Sequence, residues 1–253
     1  MVGLPGAGKS TLACAFLAEA SKNGSGWCSN ERAVVRCLRR RDDGLLGNLL
    51  KRLPSRVWEP LAGSRRALAE LHAFASDHSS LFSLIFEALR SESVSPTLRQ
   101  CVLYALVQHT AERQLLDVGL LDGECVLVEE GLAMGLLALL DCLPPDVSAD
   151  DVIARFVCFM PSLVGLVWVD VEPSECVARL RRRPVLPLAW AECSDRELLD
   201  VLIRRRCSLE VAFEACGRRG IPCKRIENSE CDTKSLEGLC DQLRAWTHQA
   251  EVR

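Results

Sequence analysis

Apolar residues along this chain follow two different periods, and the periods alternate. Leu12, Phe16 and Leu17 recur at helical spacing among small alanines, and Asn23-Gly24 supplies a stop, so a helix is expected directly after residue 10. Ala33-Val34-Val35-Arg36-Cys37-Leu38 reads as a short strand, running into the charged turn Arg41-Asp42-Asp43-Gly44. Residues 61–118 then read as helices. One covers Arg66 to Phe74, and a buried one covers Leu81 to Leu89. A third starts at Ser95-Pro96, a serine cap with proline in the first turn, and carries Leu98, Val102, Ala105 and Leu106.

The pattern changes at Cys125-Val126-Leu127-Val128. Four consecutive apolar residues end in Glu129-Glu130-Gly131, as a buried parallel strand would. Leu132 to Leu140 is a short apolar helix, and Pro144-Pro145 breaks it. "LVGLVWVDVEP" at 163–173 is the next buried strand. Ser174 to Arg183 follows as a helix capped by Ser174, with Val177 and Leu180 turned inward. A proline-rich loop spans Pro184 to Pro187, and a long helix spans Asp195 to Arg219. Residues 220–228 form a last strand, and Leu236 to Trp246 a closing helix. Strands alternating with helices predict an α/β fold: a doubly wound, mostly parallel sheet with helices on both faces. The whole of 1–253 reads as one domain, and the helices of 61–118 as an insertion between the second and third strands.

Candidate chemistry sits at the start. Gly3-Leu4-Pro5-Gly6-Ala7-Gly8-Lys9-Ser10 fits G-x-x-x-x-G-K-[ST]. Glycines let successive N–H groups turn inward as an anion nest. Lys9 can reach the β- and γ-phosphates, the Ser10 hydroxyl can hold Mg²⁺, and the following helix adds its positive N-terminal end. The dinucleotide fingerprint G-x-G-x-x-G does not fit, because Lys9-Ser10-Thr11 follows Gly6-Ala7-Gly8. Such a loop normally leaves the C-terminal end of a buried parallel strand. Here Met1 and Val2 alone precede Gly3, against a mean strand of about 5–6 residues. The expectation is a strand truncated to a stub, and a misplaced or fragmentary start accounts for it better than a fold without its central strand.

Composition narrows the rest. At 253 residues and 49% hydrophobic, the chain can bury a sizeable core. A net charge of −3 gives no global attraction to nucleic acid or anionic membrane, and aromatics at 5% give no stacking platform, so DNA binding is not expected. Fourteen cysteines contain no C-x-x-C pair and scatter through apolar runs, as at Cys125, Cys158 and Cys176. They read as small buried hydrophobes of a reducing, cytoplasmic compartment. The four histidines make no metal-ligand spacing. The longest apolar run, Phe156 to Val169, is too short to span a membrane and contains Pro161 and Ser162. Arginine is dense at 39–41, 181–183 and 204–206, the last read as a solvated helix face.

The order of these elements resembles the P-loop nucleoside and nucleotide kinases, thymidylate-kinase-like proteins above all. The resemblance rests on "GLPGAGKST", on "VLVEEG" where the family has a strand ending in an acid, on "VWVDVEPSECVARLRRR", similar to a strand, a Pro-started helix and an Arg-bearing lid at about 179–196, and on "RRGIPCKRIENS", which is similar to the last strand and the loop beside the adenine. It implies ATP and Mg²⁺ as cofactors. Gly3, Gly6, Ala7, Gly8, Lys9, Ser10 and Thr11 would hold phosphates, with Ser10 and Glu129 on the metal. Glu129 or Glu130 would bind Mg²⁺ through water or accept the proton of an attacking hydroxyl. Arg179, Arg182 and Arg183 would offset charge on the transferred group, and Asn228 would lie near the base. Two departures stand out. The usual Asp after the third strand is Glu129, and no D-R-[YFH] motif follows it. The acceptor site is therefore not transferable, and Asp42, Asp43, Arg99 and Arg113 are the candidates for it.

These readings lead to a phosphotransferase acting on a small nucleotide, nucleoside or other hydroxyl- or phosphate-bearing acceptor. The alternatives are a P-loop ATPase or GTPase that regulates a partner, and a degenerate, non-catalytic relative. The absence of a Gln-bearing switch favours the kinase.

Overall fold

A computed structural model describes residues 1–22, 26–41, 65–90, 96–119, 124–129, 131–144, 146–184, 186, 190–228, 241, 243, 245 and 246. Outside them lie Asn23-Gly24, Asp42, Asp43, Ser95, Glu130, much of the Pro184–Pro187 loop and most of the closing helix. The described strands pair in parallel, in two small sheets. The first has the order β1 (Val2–Gly3), β4 (Leu166–Asp170), β5 (Cys223–Glu227), and the second joins β2 (Trp27–Ser29) to β3 (Cys125–Leu127). The architecture is thus α/β, rich in helix, with parallel strands.

β4 is the spine of the larger sheet. All five of its residues are buried, as expected for a parallel strand covered on both faces. Val2 pairs with Trp168 and Gly3 with Val169 on one side, while Leu166 to Asp170 pair with Cys223 to Glu227 on the other. The Trp168 ring meets Phe213 edge-on at 5.4 Å and carries the Arg225 guanidinium over its face at 4.3 Å. Burying each apolar side chain of this strand contributes about 1.5–3 kcal/mol.

The first helix, α1 (Lys9–Lys22), buries Leu12, Ala13, Phe16 and Ala20, one stripe at helical spacing, and Phe16 packs edge-on against Trp27 of β2 at 5.3 Å. The segment read as a strand at 33–38 is instead helical, within α2 (Asn30–Arg41). The strand in this part of the chain is the shorter Trp27–Ser29 just before it. Ala33, Val34 and Cys37 are spaced i, i+1, i+4 and bury together against Leu115 and Leu116, so helical periodicity outweighed the β-branched Val34-Val35 pair.

Further described helices follow α2 before β3. They are α3 (Arg65–Asp77), α4 (Ser79–Leu89) and α5 (Pro96–Gly119), with α3 packed along α5. After β3 comes α6 (Leu132–Leu140), then a helix the hydrophobic pattern had not revealed, α7 (Ala149–Phe159). Its start has clear chemistry: Ser148 accepts from the Asp151 N–H at 3.4 Å, and Asp150 and Asp151 sit in the first turn near the positive helix end. Between β4 and β5 lie α8 (Pro173–Arg181) and α9 (Asp195–Arg218). α8 begins at Pro173 rather than at a Ser174 cap, and α9 opens with a full capping box between Ser194 and Glu197.

Candidate phosphate-binding site

The loop Leu4–Gly8 leaves β1 and enters α1 at Lys9. Ala7 N–H donates to Leu4 O at 3.0 Å, closing the turn, and Leu12 N–H donates to Gly8 O at 3.0 Å, opening the helix. Gly6 and Gly8 hold φ of +87° and +83°, where an L side chain is strained. The first-turn N–H groups of α1 lie outside its intrahelical ladder. Ser10 and Thr11 are exposed at the same end.

Lys9 is buried at 7% exposure, and its ammonium donates to Gly3 O at 3.1 Å and Leu4 O at 3.2 Å. A cation held out of water needs such acceptors. Anionic phosphate oxygens would be stronger ones than these neutral carbonyls.

Two of the residues singled out in the sequence reach this loop from distant elements. Asn228, just past β5, donates from Nδ2 to Ala7 O at 2.7 Å and is buried. Its amide lies over Gly8 so closely that a Cβ there would stand 2.5 Å from Nδ2. Arg179 of α8 donates to Gly6 O at 3.5 Å and to Asn228 O at 3.0 Å, and is held by Glu175 at 2.5 Å. The floor of the loop is α8 itself: a Cβ on Gly6 would meet Cys176 O at 2.9 Å and Leu180 Cγ at 3.3 Å.

Glu129 follows β3, half-buried. The Met1 amino group donates to Val128 O at 2.5 Å. Its pKa falls to about 5, first through burial and then through the Lys9 charge, with Glu129 acting in the opposite sense. Lys9 and Glu129 therefore both lie within electrostatic reach of this one amine. Arg182 and Arg183 are exposed beyond the end of α8. Among the acceptor candidates, Arg113 pairs with Asp117 at 2.7 Å and donates to Ser162 O at 3.2 Å, while Arg99 lies on α5 beside Tyr104 and Leu71.

Two expectations about side chains change. Arg205 and Arg206 do not belong to a solvated face: Arg205 lies 5.0 Å over the Trp190 ring and pairs with Asp141, and Arg206 binds Glu172 and Asp170. Arg204 is exposed, as read. Among the cysteines, Cys176 is buried, but Cys125 is half-buried and Cys158 exposed. Burial pushes the Cys142, Cys176 and Cys223 thiols up to about 11. The cysteine side chains that the structure describes are thiols and not disulfides. Among the described residues no cluster of three His, Cys, Asp or Glu could hold a metal by itself, and no helix is long and apolar enough to cross a membrane.

Sequence reasoning passed over Asp170 and Glu175. Glu175 was visible as an i, i+4 partner of Arg179. Asp170 was not, because its partners Arg206 and Arg225 come from α9 and β5. Compared with family models, curated proteins and solved structures, the chain matches none of them.

Proposed function

We propose that this chain is an ATP-binding P-loop protein of the nucleoside and nucleotide kinase class, with the strands of a doubly wound sheet ordered about β1 and a single domain over the full 253 residues. The observation that carries the reading is the loop from Gly3 to Ser10, set between a parallel strand and a helix, with a buried lysine folded into it. Backbone N–H groups at the start of α1 and the Lys9 ammonium would hold the β- and γ-phosphates. Bound Mg·ATP would supply the phosphoryl group.

Mg²⁺ is commonly held by one or two protein groups together with phosphates and waters. Exposed Ser10 and half-buried Glu129 fit that demand better than a closed metal cage would. Glu129, or Glu130 beside it, would accept the proton of the acceptor hydroxyl. Arg179 already lies against the loop, and exposed Arg182 and Arg183 on the following turn would offset charge on the transferred group. The helices α3–α5 would form the cap over a small acceptor, and the lid would run from about 179 to 196.

Calorimetry with Mg·ATP, on the chain and on Lys9→Ala, tests this. Micromolar to submillimolar binding that Lys9→Ala weakens at least tenfold is the expected result, and an acceptor screen follows. A folded chain that binds neither Mg·ATP nor Mg·GTP overturns the reading.

A further inference from the structure

An anion nest has a second side. Where successive N–H groups turn inward, the carbonyls of the same stretch turn outward, and buried carbonyls need donors. Here Gly6 O and Ala7 O are met by side chains from distant elements. Asn228 donates from Nδ2 to Ala7 O at 2.7 Å, and Arg179 from Nη1 to Gly6 O at 3.5 Å. The same Nη1 would stand 3.7 Å from a Cβ on Gly8, so the guanidinium lies along the loop from Gly6 to Gly8. Arg179 thus engages the carbonyl side of the loop, the side away from an anion held by its N–H groups.

A guanidinium in that place has to be aimed, because arginine is a long side chain with several donors in one rigid fork. Glu175, one turn earlier on α8, accepts from Arg179 Nη2 at 2.5 Å. The same Nη2 donates to Asn228 O at 3.0 Å, which leaves Nη1 facing Gly6. Asn228 is itself tied to β4, its N–H donating to Asp170 O at 2.9 Å. Contacts therefore run from Glu175 through Arg179 to Gly6, and onward through Asn228 to Ala7. The Arg179 and Glu175 side chains are 29% and 40% exposed, and an i,i+4 pair that open adds little to the stability of the whole fold. Its consequence is local, in the geometry of the loop.

We propose that Glu175 is a positioning residue for the phosphate-binding loop: it aims Arg179 so that the guanidinium braces Gly6 and Asn228 from behind. Nucleotide affinity then depends on a carboxylate that touches no nucleotide. The consequence for affinity rests on the nucleotide-binding reading above; the brace itself does not. The arginines of this region divide by task. Arg179, engaged with Glu175, Asn228 and Gly6, holds the loop, and charge on a transferred group is left to exposed Arg182 and Arg183.

The test uses the whole chain with Glu175→Ala, Glu175→Gln, or the swap of Glu175→Arg with Arg179→Glu. Amide exchange without nucleotide is read at Ala7, whose N–H closes the loop on Leu4 O, and at Asn228. Trp168 in the middle of β4 is the control, a urea melt checks each fold, and calorimetry gives the Mg·ATP affinity. Glu175→Ala is expected to speed exchange at Ala7 and Asn228 at least about fivefold and to weaken Mg·ATP by a similar factor, with Trp168 and the urea midpoint unchanged. Glu175→Gln keeps an acceptor for Nη2 and should recover much of both. The swap restores an ion pair on α8 but offers Gly6 O and Asn228 O no donor from position 179, so it should stay as impaired as Glu175→Ala. Unchanged exchange in Glu175→Ala overturns the proposal. So does a swap that behaves like the parent chain, since the pair is then only a helix salt bridge. So does a glutamine variant no better than alanine, which also decides the matter if the swap does not fold, or a loss of protection that extends equally to Trp168. If the parent chain binds neither Mg·ATP nor Mg·GTP, the proposed function falls, and exchange at Ala7 and Asn228 still decides the brace.

Discussion

Asn228 and Gly8 are 220 positions apart and share one small volume. The Asn228 amide donates to Ala7 O, and nothing larger than hydrogen fits on Gly8 beneath it. Gly8→Ala would force a methyl into Nδ2 at a φ of +83°, costing about 1–3 kcal/mol of stability. Its Mg·ATP affinity is expected to fall at least tenfold, read by calorimetry beside a urea melt. Asn228 separates donor chemistry from packing. Asn228→Ala leaves the Ala7 carbonyl without this donor, at about 1–3 kcal/mol. Asn228→Asp sets a carboxylate oxygen against the carbonyl and should destabilise more than alanine does. A melt in which aspartate is the milder change would show that the amide acts by shape and not by donating.

At the scale of elements, α8 is the bed of the loop. Leu180 is fully buried, and its Cγ would touch a side chain on Gly6. Leu180→Ala should cost about 2–5 kcal/mol, read as a lowered urea midpoint at unchanged m, and should loosen the loop in the same step. A variant that loses stability while keeping full Mg·ATP affinity would show that α8 supports the core and not the loop. The loop and α1 were legible because their signal is local: glycines, lysine and a helical stripe within twenty residues. β4 and β5 were legible for the same reason, as continuous apolar or bounded runs. The strand expected at 33–38 went the other way because a β-branched pair carries less weight than three residues on one helix face. α7 was hidden because its last residues merge into the apolar run that starts at Phe156, although Ser148, Asp150 and Asp151 marked its start. What no local pattern could carry is assembly: that Asn228 and Arg179 converge on Ala7 and Gly6.

At the scale of the molecule, one carboxylate ties three elements together. Asp170 ends β4 at 5% exposure, and its Oδ2 accepts from Arg225 of β5 at 2.5 Å and Arg206 of α9 at 3.1 Å. Arg206 also binds both oxygens of Glu172, and Arg225 reaches Glu210. The Asp170 backbone carbonyl accepts from Asn228 N–H at 2.9 Å, so the same residue fixes the approach of Asn228 to the loop. Burial, the largest influence, pushes the Asp170 carboxyl up. The hydrogen bonds and charges of Arg225 and Arg206 together outweigh it and hold the pKa below the ordinary carboxylate value. A carboxyl depressed by folding adds stability that is complete above its unfolded pKa, about 3.9, and is lost as pH falls through the lower folded value. Asp170→Asn should therefore destabilise the protein at pH 7, by about 1.5–3 kcal/mol for hydrogen bonds to a charged group. It should also flatten the acid limb of the stability curve below about pH 4, because the group whose protonation drives that part of the loss is gone. Urea melts from pH 7 to pH 3 on both proteins measure this. Parallel curves across the whole range would mean that Asp170 is held no more tightly in the folded chain than in the unfolded one, and the three-element tie would lose its energetic basis.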